Sequence, residues 1–310
     1  MIDVTLLGTS ALLPLPDRAL TAAALKCAGH TLLFDCGEGT QTAARKAGIS
    51  LMTADIIALT HYHGDHTFGL PGLMQTMGSM GRIAPLVLTG PAGLHDAMAP
   101  ILTLAEGLPF PVRLLSLPDE GLRMDTLFPG WPPMARLTAF PTCHRVPSQG
   151  YCFSLGRAGK FNPERARALG VPLALWSTLQ SGQAVRLPNG AVQPEQVMGP
   201  SRPGLKCVFT GDTAPCASLT EAARGADLMI CEATYGQDDQ ADTAAQYGHM
   251  TFSQAGEAAA NAQVKRLWLA HFSQRIEDPL VFLPNAQAYF PGAQCGRDGL
   301  RITLTFPPDA

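Results

Sequence analysis

Short apolar runs alternate with segments of helical hydrophobic spacing along nearly the whole chain, and this order predicts an α/β protein. Strands are predicted at residues 2–7, 22–26, 31–35, 56–60, 86–89, 112–116, 135–140, 150–155, 206–210, 227–231 and 266–270. Helices are predicted at residues 38–47, 91–104, 216–224 and 252–262, and after His66, where Leu73, Met74, Met77 and Met80 share one face. Meanders of consecutive strands mix with βα units, so we expect two sheets packed face to face with helices outside.

Residues 156–205 do not follow this pattern. The stretch is rich in Gly, Pro and polar residues, with a turn at Pro188-Asn189-Gly190 and an exit at Gly199-Pro200. We therefore expect one domain over residues 1–310, with residues 156–205 inserted as a protruding arm. Hydrophobic residues make up 46% of the chain, but no apolar run reaches the roughly 20 residues that a membrane-spanning helix needs. The pattern predicts no membrane partner.

The charge of the chain does not indicate a wholly basic nucleic-acid-binding domain. The formal net charge is −3 and the isoelectric point is about 6.2. The charge of the arm and its ends differs from that of the whole chain, because this region contains only two acidic residues, Glu164 and Glu195. The basic residues there are Arg157, Lys160, Arg165, Arg167, Arg186, Arg202 and Lys206. Since local charge governs phosphate contacts, a basic arm on an acidic body is compatible with RNA binding.

Three histidines and one aspartate lie within six residues, directly after a predicted strand. They are His61, His63, Asp65 and His66. Imidazole and carboxylate groups together suit zinc or another borderline divalent ion. His61 and His63 point to the same side of an extended segment, and a turn at Gly64 presents the other two from a different direction. One tetrahedral ion cannot easily use all four groups, so we expect two neighbouring ions.

Three more candidate ligands, His144, Asp212 and His271, each follow a predicted strand. Strand ends are where α/β folds place their chemistry. Asp212 is the natural carboxylate to bridge two ions. The residues therefore predict two Zn²⁺ per chain, with Mn²⁺ or another divalent ion as the alternative. Such a pair would activate water and stabilise negative charge on a phosphodiester, while Asp65 would ligate and also orient the attacking water.

The ligand pattern resembles that of the metallo-β-lactamase superfamily, and finer motifs resemble ribonuclease Z, the tRNA 3′-processing endonuclease. In chain order these motifs are Leu7-Gly8-Thr9, Phe34–Gln41, Thr60–Leu73, His144–Tyr151, Gly211-Asp212-Thr213, Glu232-Ala233-Thr234, Gly248-His249-Met250-Thr251 and His271-Phe272-Ser273. The resemblance runs from about residue 1 to residue 306. The Glu-Ala-Thr and Gly-His-x-Thr pair carries most of its specificity.

The resemblance implies a four-layer αβ/βα sandwich with the metals at one edge. It implies that the enzyme cleaves precursor tRNA after the discriminator base and leaves a 3′-hydroxyl. His249 would protonate the leaving oxygen, Glu232 would orient His249, and Asp35 would orient a ligand histidine.

The resemblance also implies a homodimer in which the arm of one subunit, acting as a tRNA-binding exosite, holds the tRNA that the other subunit cleaves. The chain shows no basic-then-apolar secretory leader. Its eight cysteines are scattered without a Cys-x-x-Cys pair, which is typical of reduced thiols. We therefore expect a cytoplasmic enzyme.

Two other functions are compatible with the same residues. A small-molecule phosphodiesterase or arylsulfatase-like hydrolase would use the same metal site. It is favoured by the acidic isoelectric point and by Leu173–Trp176, which stands where many ribonuclease Z chains have a Gly-Pro pair. A metal-binding protein without catalysis is the third candidate. Cleavage of a precursor tRNA separates the first function from these two.

Overall fold

Two seven-stranded sheets pack face to face in the computed structural model, which describes residues 1–308. The first sheet contains β1 (Ile2–Gly8), β2 (Ala22–Cys27), β3 (His30–Phe34), β4 (Ala54–Ala58), β5 (Leu86–Thr89), β6 (Val112–Leu114) and β16 (Arg301–Leu304). Its order is β16-β1-β2-β3-β4-β5-β6, antiparallel as far as β3 and parallel from β3 to β6.

The second sheet has the same mixture of antiparallel and parallel pairing. It contains β7 (Leu122–Arg123), β8 (Ala135–Pro141), β9 (Gln149–Arg157), β12 (Arg202–Phe209), β13 (Leu228–Glu232), β14 (Leu267–Ala270) and β15 (Ala293–Cys295). Its order is β15-β14-β13-β12-β9-β8-β7, with parallel pairing from β12 to β15. The antiparallel meanders and the parallel βα units anticipated from the sequence thus occur within each sheet.

Helices cover the outer face of each sheet. The helices of the body are α1 (Thr40–Lys46), α2 (Gly64–Thr67), α3 (Leu70–Ser79), α4 (Leu94–Leu104), α5 (Met124–Leu127), α9 (Ala217–Ala223), α10 (Ala241–Tyr247), α11 (Phe252–Asn261) and α12 (Leu283–Gln287). Single 3₁₀ turns lie at Leu51–Thr53, Asp238–Gln240 and Pro279–Val281. The expected four-layer αβ/βα sandwich is confirmed.

Alternation along the strands explains the layers. Ile2, Val4 and Leu6 of β1 point into the core between the sheets, whereas Leu7 packs under the helices of the first sheet. Successive side chains on a strand face opposite sides. Because both faces are covered, the strands are apolar on both sides and show little polar alternation.

The sequence prediction omitted β7, β15, β16, α5, α10 and α12, and two details of the helices that it did predict are wrong. The predicted helix 91–104 begins at Leu94, because Gly93 adopts a left-handed conformation with φ 88° just before it. Met80, predicted on the buried face of α3, is 54% exposed. That helix ends at Ser79, so Met80 lies beyond its last turn and does not continue the buried stripe of Leu73, Met74 and Met77.

The segment between β9 and β12 forms a small unit with its own core. Its elements are α6 (Pro163–Ala168), a 3₁₀ turn (Leu173–Leu175), α7 (Trp176–Gln180), the hairpin β10 (Val185–Leu187) and β11 (Gly190–Val192), and α8 (Pro194–Val197). Ala166, Val171, Leu179 and Val197 are buried together there. β9 and β12 extend past the predicted limits of the arm, pairing Arg202 with Arg157. Within the described chain, no helix is long and apolar enough to cross a membrane.

Candidate metal centre

The loops that follow several strands converge at one edge of the sandwich. His61 follows β4, His144 follows β8, Asp212 follows β12 and His271 follows β14. Since β12, β13 and β14 are parallel neighbours, their carboxyl ends meet at the same edge. The seven side chains proposed as ligands from the sequence come together at this edge.

One cluster is formed by His61, His63, His144 and Asp212. Nε2 of His61 lies 2.9 Å from Nδ1 of His63, and Nε2 of His144 lies 3.4 Å from the same Nδ1. His61 is fully buried, whereas His63 and His144 are half-buried toward the opening. Three imidazole nitrogens that face one another at such distances are better placed to bind a common cation than to form hydrogen bonds with each other.

A second cluster is formed by Asp65, His66 and His271, all of them buried. Nε2 of His66 lies 3.2 Å from Nε2 of His271. Oδ2 of Asp65 lies 3.6 Å from the first of these nitrogens and 3.5 Å from the second. The separation of His61 and His63 from Asp65 and His66, expected from the turn at Gly64, is what the structure shows.

Asp212 faces both clusters with different oxygens. Its Oδ2 lies 3.7 Å from Nε2 of His61, and its Oδ1 lies 3.4 Å from Nε2 of His66 and 3.2 Å from that of His271. Oδ1 is buried and has no hydrogen-bond partner among residues 1–308. A buried carboxylate oxygen without a partner is costly. This arrangement fits a carboxylate that bridges two cations.

Hydrogen bonds on the far side of the rings select which nitrogen faces the clusters. Nδ1–H of His144 donates to the carbonyl of Gly248 at 2.9 Å, and Nδ1 of His61 lies 3.1 Å from the hydroxyl of Thr60. Nδ1 of His271 lies 2.9 Å from the hydroxyl of Thr234. Each bond turns Nε2 of the ring toward the clusters, which is the usual outer support of a metal-binding histidine.

Asp35 supports the second cluster in the way the resemblance implies. It is fully buried, and its Oδ2 accepts a 2.8 Å hydrogen bond from Nδ1 of His66. Its Oδ1 accepts from the backbone N–H of Thr60 at 2.7 Å, and its Oδ2 from the hydroxyl of that residue at 2.9 Å. Thr60 therefore links the two clusters, because its hydroxyl also faces His61.

The electrostatics of the centre favour added positive charge. Burial and the neighbouring imidazoles lower the pKa of His61 well below its ordinary value. Burial alone would raise the pKa of Asp212, but the facing imidazoles of His271, His66 and His61 hold it well below its usual range. For His66, burial acts to lower the pKa, but the carboxylates of Asp212, Asp35 and Asp65 raise it well above the ordinary value.

Neutral imidazole and ionised carboxylate are the forms that bind a divalent ion. Within residues 1–308, the ion pairs of Asp65 and Asp212 are all with histidines. These carboxylates therefore lack a permanent positive partner from the chain. The donor set, the unpartnered Oδ1 and this charge balance all fit two divalent cations.

Glu232 connects the loops around the second cluster. It accepts hydrogen bonds from the backbone N–H of Thr213 at 2.7 Å, from the hydroxyl of Thr234 at 2.6 Å and from the N–H of Met250 at 3.1 Å. Nδ1 of His249 lies 2.9 Å from its Oε1. The pairing of Glu232 with His249 that the resemblance implied is present.

His249 lies at the boundary between the centre and an open cavity. Burial alone would lower its pKa, but the carboxylates of Glu232 and Asp212 raise it to about 9. Its Nδ1 lies 3.9 Å from Oδ2 of Asp212, so it also falls into a possible ligand group with Asp212 and His271. The shorter contact to Glu232 occupies Nδ1, which leaves Nε2 for a group in the cavity.

The cavity measures about 1080 Å³ and lies over both clusters. Its lining includes the exposed apolar residues Leu12, Leu13 and Phe68, and also Arg145 and Tyr247. Leu12 has a left-handed backbone with φ 61° and donates its N–H to Oδ2 of Asp65 at 2.8 Å.

Sequence reasoning gave no role to Thr60, Thr234, Gly248 or Leu12, although each makes a hydrogen bond to a proposed ligand. Thr60 and Thr234 could have been found by position, since they adjoin His61 and Glu232 in the motifs. Leu12 acts through its backbone N–H, which leaves no signal in residue type, whereas the position of Gly248 requires a glycine because a Cβ there would lie 2.8 Å from Cα of His144.

Comparison with known proteins gives full-length relatives. The chain is 40% identical over 311 residues to the ribonuclease Z of Agathobacter rectalis, covering 100% of both chains. It is 40% identical over 308 residues to that of Lachnoclostridium phytofermentans, covering 99% of both. Family models match in part: "Anti-Pycsar protein Apyc1" over residues 2–96 and "Beta-lactamase superfamily domain" over residues 180–272.

Solved structures agree with these matches. The short form of human tRNase Z is 29% identical, with a TM-score of 0.67 over 98% of this chain and 100% of that one. YhfI from Bacillus subtilis, a metallo-β-lactamase fold protein, has the same TM-score of 0.67 at 18% identity, which speaks for the fold alone.

Proposed function

The chain belongs to the ribonuclease Z family, and from this premise we propose that it is the endoribonuclease that removes the 3′ trailer of precursor tRNA. It hydrolyses the phosphodiester on the 3′ side of the discriminator base. The observation that carries the proposal is that a full-length relationship at 40% identity coincides with a complete set of site residues at one edge of the fold.

Two divalent ions, Zn²⁺ in the first place, serve as cofactors in this proposal. One ion would be held by His61, His63 and His144. The other would be held by Asp65, His66 and His271, and Asp212 would bind both ions. When bound, the ions activate a water molecule as the nucleophile and neutralise charge on the phosphate. Mn²⁺ is the alternative, since the carboxylate donors Asp65 and Asp212 also suit it.

The catalytic roles of the chain's own residues follow from their contacts. Oδ2 of Asp65 accepts a hydrogen bond from the backbone N–H of Leu12, and this bond fixes the carboxylate that would orient the attacking water. His249 lines the cavity and donates a proton to the leaving 3′ oxygen. Glu232 fixes the ring of His249 through Nδ1, at 2.9 Å, and thereby selects Nε2 as the proton donor.

The arm, residues 156–205, is proposed to bind tRNA away from the metal centre. A cavity of about 680 Å³ on it is lined by Lys160, Arg165 and Arg167 together with Gly199 and Pro200. Three of the basic residues make hydrogen bonds to the backbone. The guanidinium groups of Arg157 and Arg202 and the ammonium group of Lys206 bond backbone carbonyls at the base of the arm.

Trp176, which replaces the expected Gly-Pro pair, packs within the arm. Its Nε1–H donates to the carbonyl of Val171 at 3.0 Å, and its ring lies 5.1 Å from that of Phe161. Arg167 lies over its other side at 5.5 Å. The proposal therefore assigns tRNA contacts to the arm's cations rather than to stacking on Trp176.

A homodimer acting in the cytoplasm completes the proposal, as the resemblance implies. The cysteines of the described residues are all free thiols, which suits a reducing compartment. Sedimentation of the purified protein at micromolar concentration measures the dimer directly, and a monomer at that concentration would contradict this part.

The test of function uses a precursor tRNA with a short 3′ trailer. The purified chain loaded with Zn²⁺ should cut once, leaving a 3′-hydroxyl on the discriminator nucleotide and a 5′-phosphate on the trailer. Asp212→Asn serves as the inactive control. Hydrolysis of a nitrophenyl phosphodiester without any cut in the precursor would favour the small-molecule hydrolase instead.

A further inference from the structure

The cavity over the metal centre contains a positive charge that the proposed chemistry does not use. Arg145 directly follows the candidate ligand His144, is exposed, and lines the same cavity as Asp212 and His249. Its guanidinium carbon lies 4.7 Å from the centre of the Tyr247 ring. Among residues 1–308 no ion pair within 4.0 Å involves Arg145. Its charge therefore remains available to an anion in the cavity.

Two contacts join the segment of this arginine to the segment of Tyr247. Nδ1–H of His144 donates to the carbonyl of Gly248 at 2.9 Å, and Arg145, the residue after His144, lies over the ring of Tyr247, the residue before Gly248. A Cβ atom at Gly248 would lie 2.8 Å from Cα of His144, so only glycine permits this approach. The two segments are thus held together, and His249 follows at once. The segment that carries Arg145 therefore lies next to the proposed proton donor, since the ring centres of His144 and His249 are 5.1 Å apart.

The stack on Tyr247 also orients the guanidinium. When one face of the group lies on an aromatic ring, its N–H donors point outward at the edge. Those donors match the two oxygens of a phosphate. Arg275, which is also exposed, and Tyr235 line the same cavity. The cavity lining therefore includes two cations, Arg145 and Arg275, beside the apolar side chains of Leu12, Leu13 and Phe68.

We propose that Arg145 binds the phosphate on the 5′ side of the discriminator nucleotide, one nucleotide from the bond that is cut. The proposal rests on the proposed function and deepens it. The leaving 3′ oxygen belongs to the discriminator nucleotide and receives its proton from His249. That nucleotide must therefore lie along the side of the cavity that carries His249 and Arg145. The next anion along the strand in this direction is its 5′ phosphate.

The test neutralises this one phosphate with a methylphosphonate linkage and combines the change with Arg145→Gln. In the unaltered enzyme the modified precursor should lose roughly 10-fold to 100-fold in kcat/KM, the range of one charged hydrogen-bonding contact. Arg145→Gln should lose a similar factor on the native precursor. The modification should then cost this variant nothing further, because the contact is already absent.

Two comparisons make the test specific. Arg224→Gln removes an exposed arginine that pairs with Glu221 far from the cavity, and it should keep the full response to the methylphosphonate. Tyr247→Phe should resemble the unaltered enzyme, whereas Tyr247→Leu should lose part of the response. Zinc content, measured for each variant, separates removal of the phosphate contact from damage to His144.

If the losses from the methylphosphonate and from Arg145→Gln are additive, the proposal is wrong. It is also wrong if Arg145→Gln abolishes the effect of a methylphosphonate placed at the first linkage within the trailer, but not the effect of one on the 5′ side of the discriminator nucleotide. These outcomes leave the proposed function intact, because the unaltered enzyme would still cut the native precursor. Failure to cut the native precursor would overturn both.

Discussion

The metal centre and the arm hold their charged groups in opposite ways. In the centre, His66, Asp212 and His271 are buried and fixed by groups from several loops. On the arm, Lys160 and Arg165 are exposed around a small core of their own. Buried charges interact strongly and depend on geometry, whereas exposed charges are screened by salt. Single changes should therefore abolish the function of the centre, while changes in the arm should act in a graded and salt-dependent way.

The largest effect is expected from Asp212→Asn. The substitution keeps the shape but removes the charge that both clusters share, so turnover of precursor tRNA should fall by roughly 10³-fold or more. Metal content, measured by elemental analysis, should fall below two ions per chain. Asp96→Asn, an exposed aspartate on α4, provides the control. Two ions and full activity in Asp212→Asn would show that this residue does not bridge.

The next effect is expected from His249→Ala. Loss of the proton donor should lower turnover of precursor tRNA by about 10²–10⁴-fold, with metal content and tRNA affinity retained. A nitrophenolate leaves without a proton, so the defect should shrink on a nitrophenyl phosphodiester. His95→Ala removes an exposed histidine of α4 and serves for comparison. Loss of zinc, or equal defects on both substrates, would make His249 a ligand or a structural residue.

Removal of the arm should act mainly on binding. Replacement of residues 158–201 by a short Gly-Ser linker keeps the paired strands β9 and β12 and removes no candidate ligand. We expect tRNA affinity to fall by about 10-fold to 100-fold, and the log–log salt slope to shrink by about 0.9 for each phosphate that the arm no longer neutralises. Neutralising Lys160, Arg165 and Arg167 together should reproduce most of this effect. An unchanged affinity and slope would contradict the exosite.

A smaller effect on the centre is expected from Thr234→Val. The change keeps the volume but removes the hydroxyl that joins His271 to Glu232. Metal affinity should fall by about 10-fold to 100-fold, as for other outer partners of metal-binding histidines. Titration with a competing chelator measures it. Thr243→Val, an exposed threonine of α10, should bind metal as the unaltered chain does.

The smallest effect is expected from Trp176→Phe. This change removes the 3.0 Å hydrogen bond to the carbonyl of Val171 and keeps an aromatic ring in the arm. The free energy of unfolding of the arm should fall by about 1 kcal/mol, which hydrogen exchange of the arm's amides detects. The affinity for tRNA should stay within about twofold, since Trp176 packs against Phe161. A large loss of affinity at unchanged stability would instead indicate stacking on a base.

The two regions also differ in how well they could be predicted from sequence. The centre is built from residues of unusual type at strand ends, and both the pattern around His61 and the isolated His144, Asp212 and His271 were identified. The arm was predicted from its composition, but the residues at which it joins the body were not predicted correctly. Arg157 and Arg202 pair across β9 and β12, so each belongs to a strand of the body as much as to the arm.

The sequence by itself predicted two facing sheets with helices outside, which the structure confirms, and it singled out the candidate ligands and a stretch of different composition over residues 156–205. Apolar spacing and chemically rare side chains are local properties, and they remain visible without a fold. The tertiary structure alone decided that Oδ1 and Oδ2 of Asp212 face different clusters, that Leu12 donates its N–H to Asp65, and that Tyr247 holds Arg145. These contacts join residues that lie far apart in the chain. They depend on the exact positions of a few atoms in the folded protein, and the type of a residue does not specify those positions.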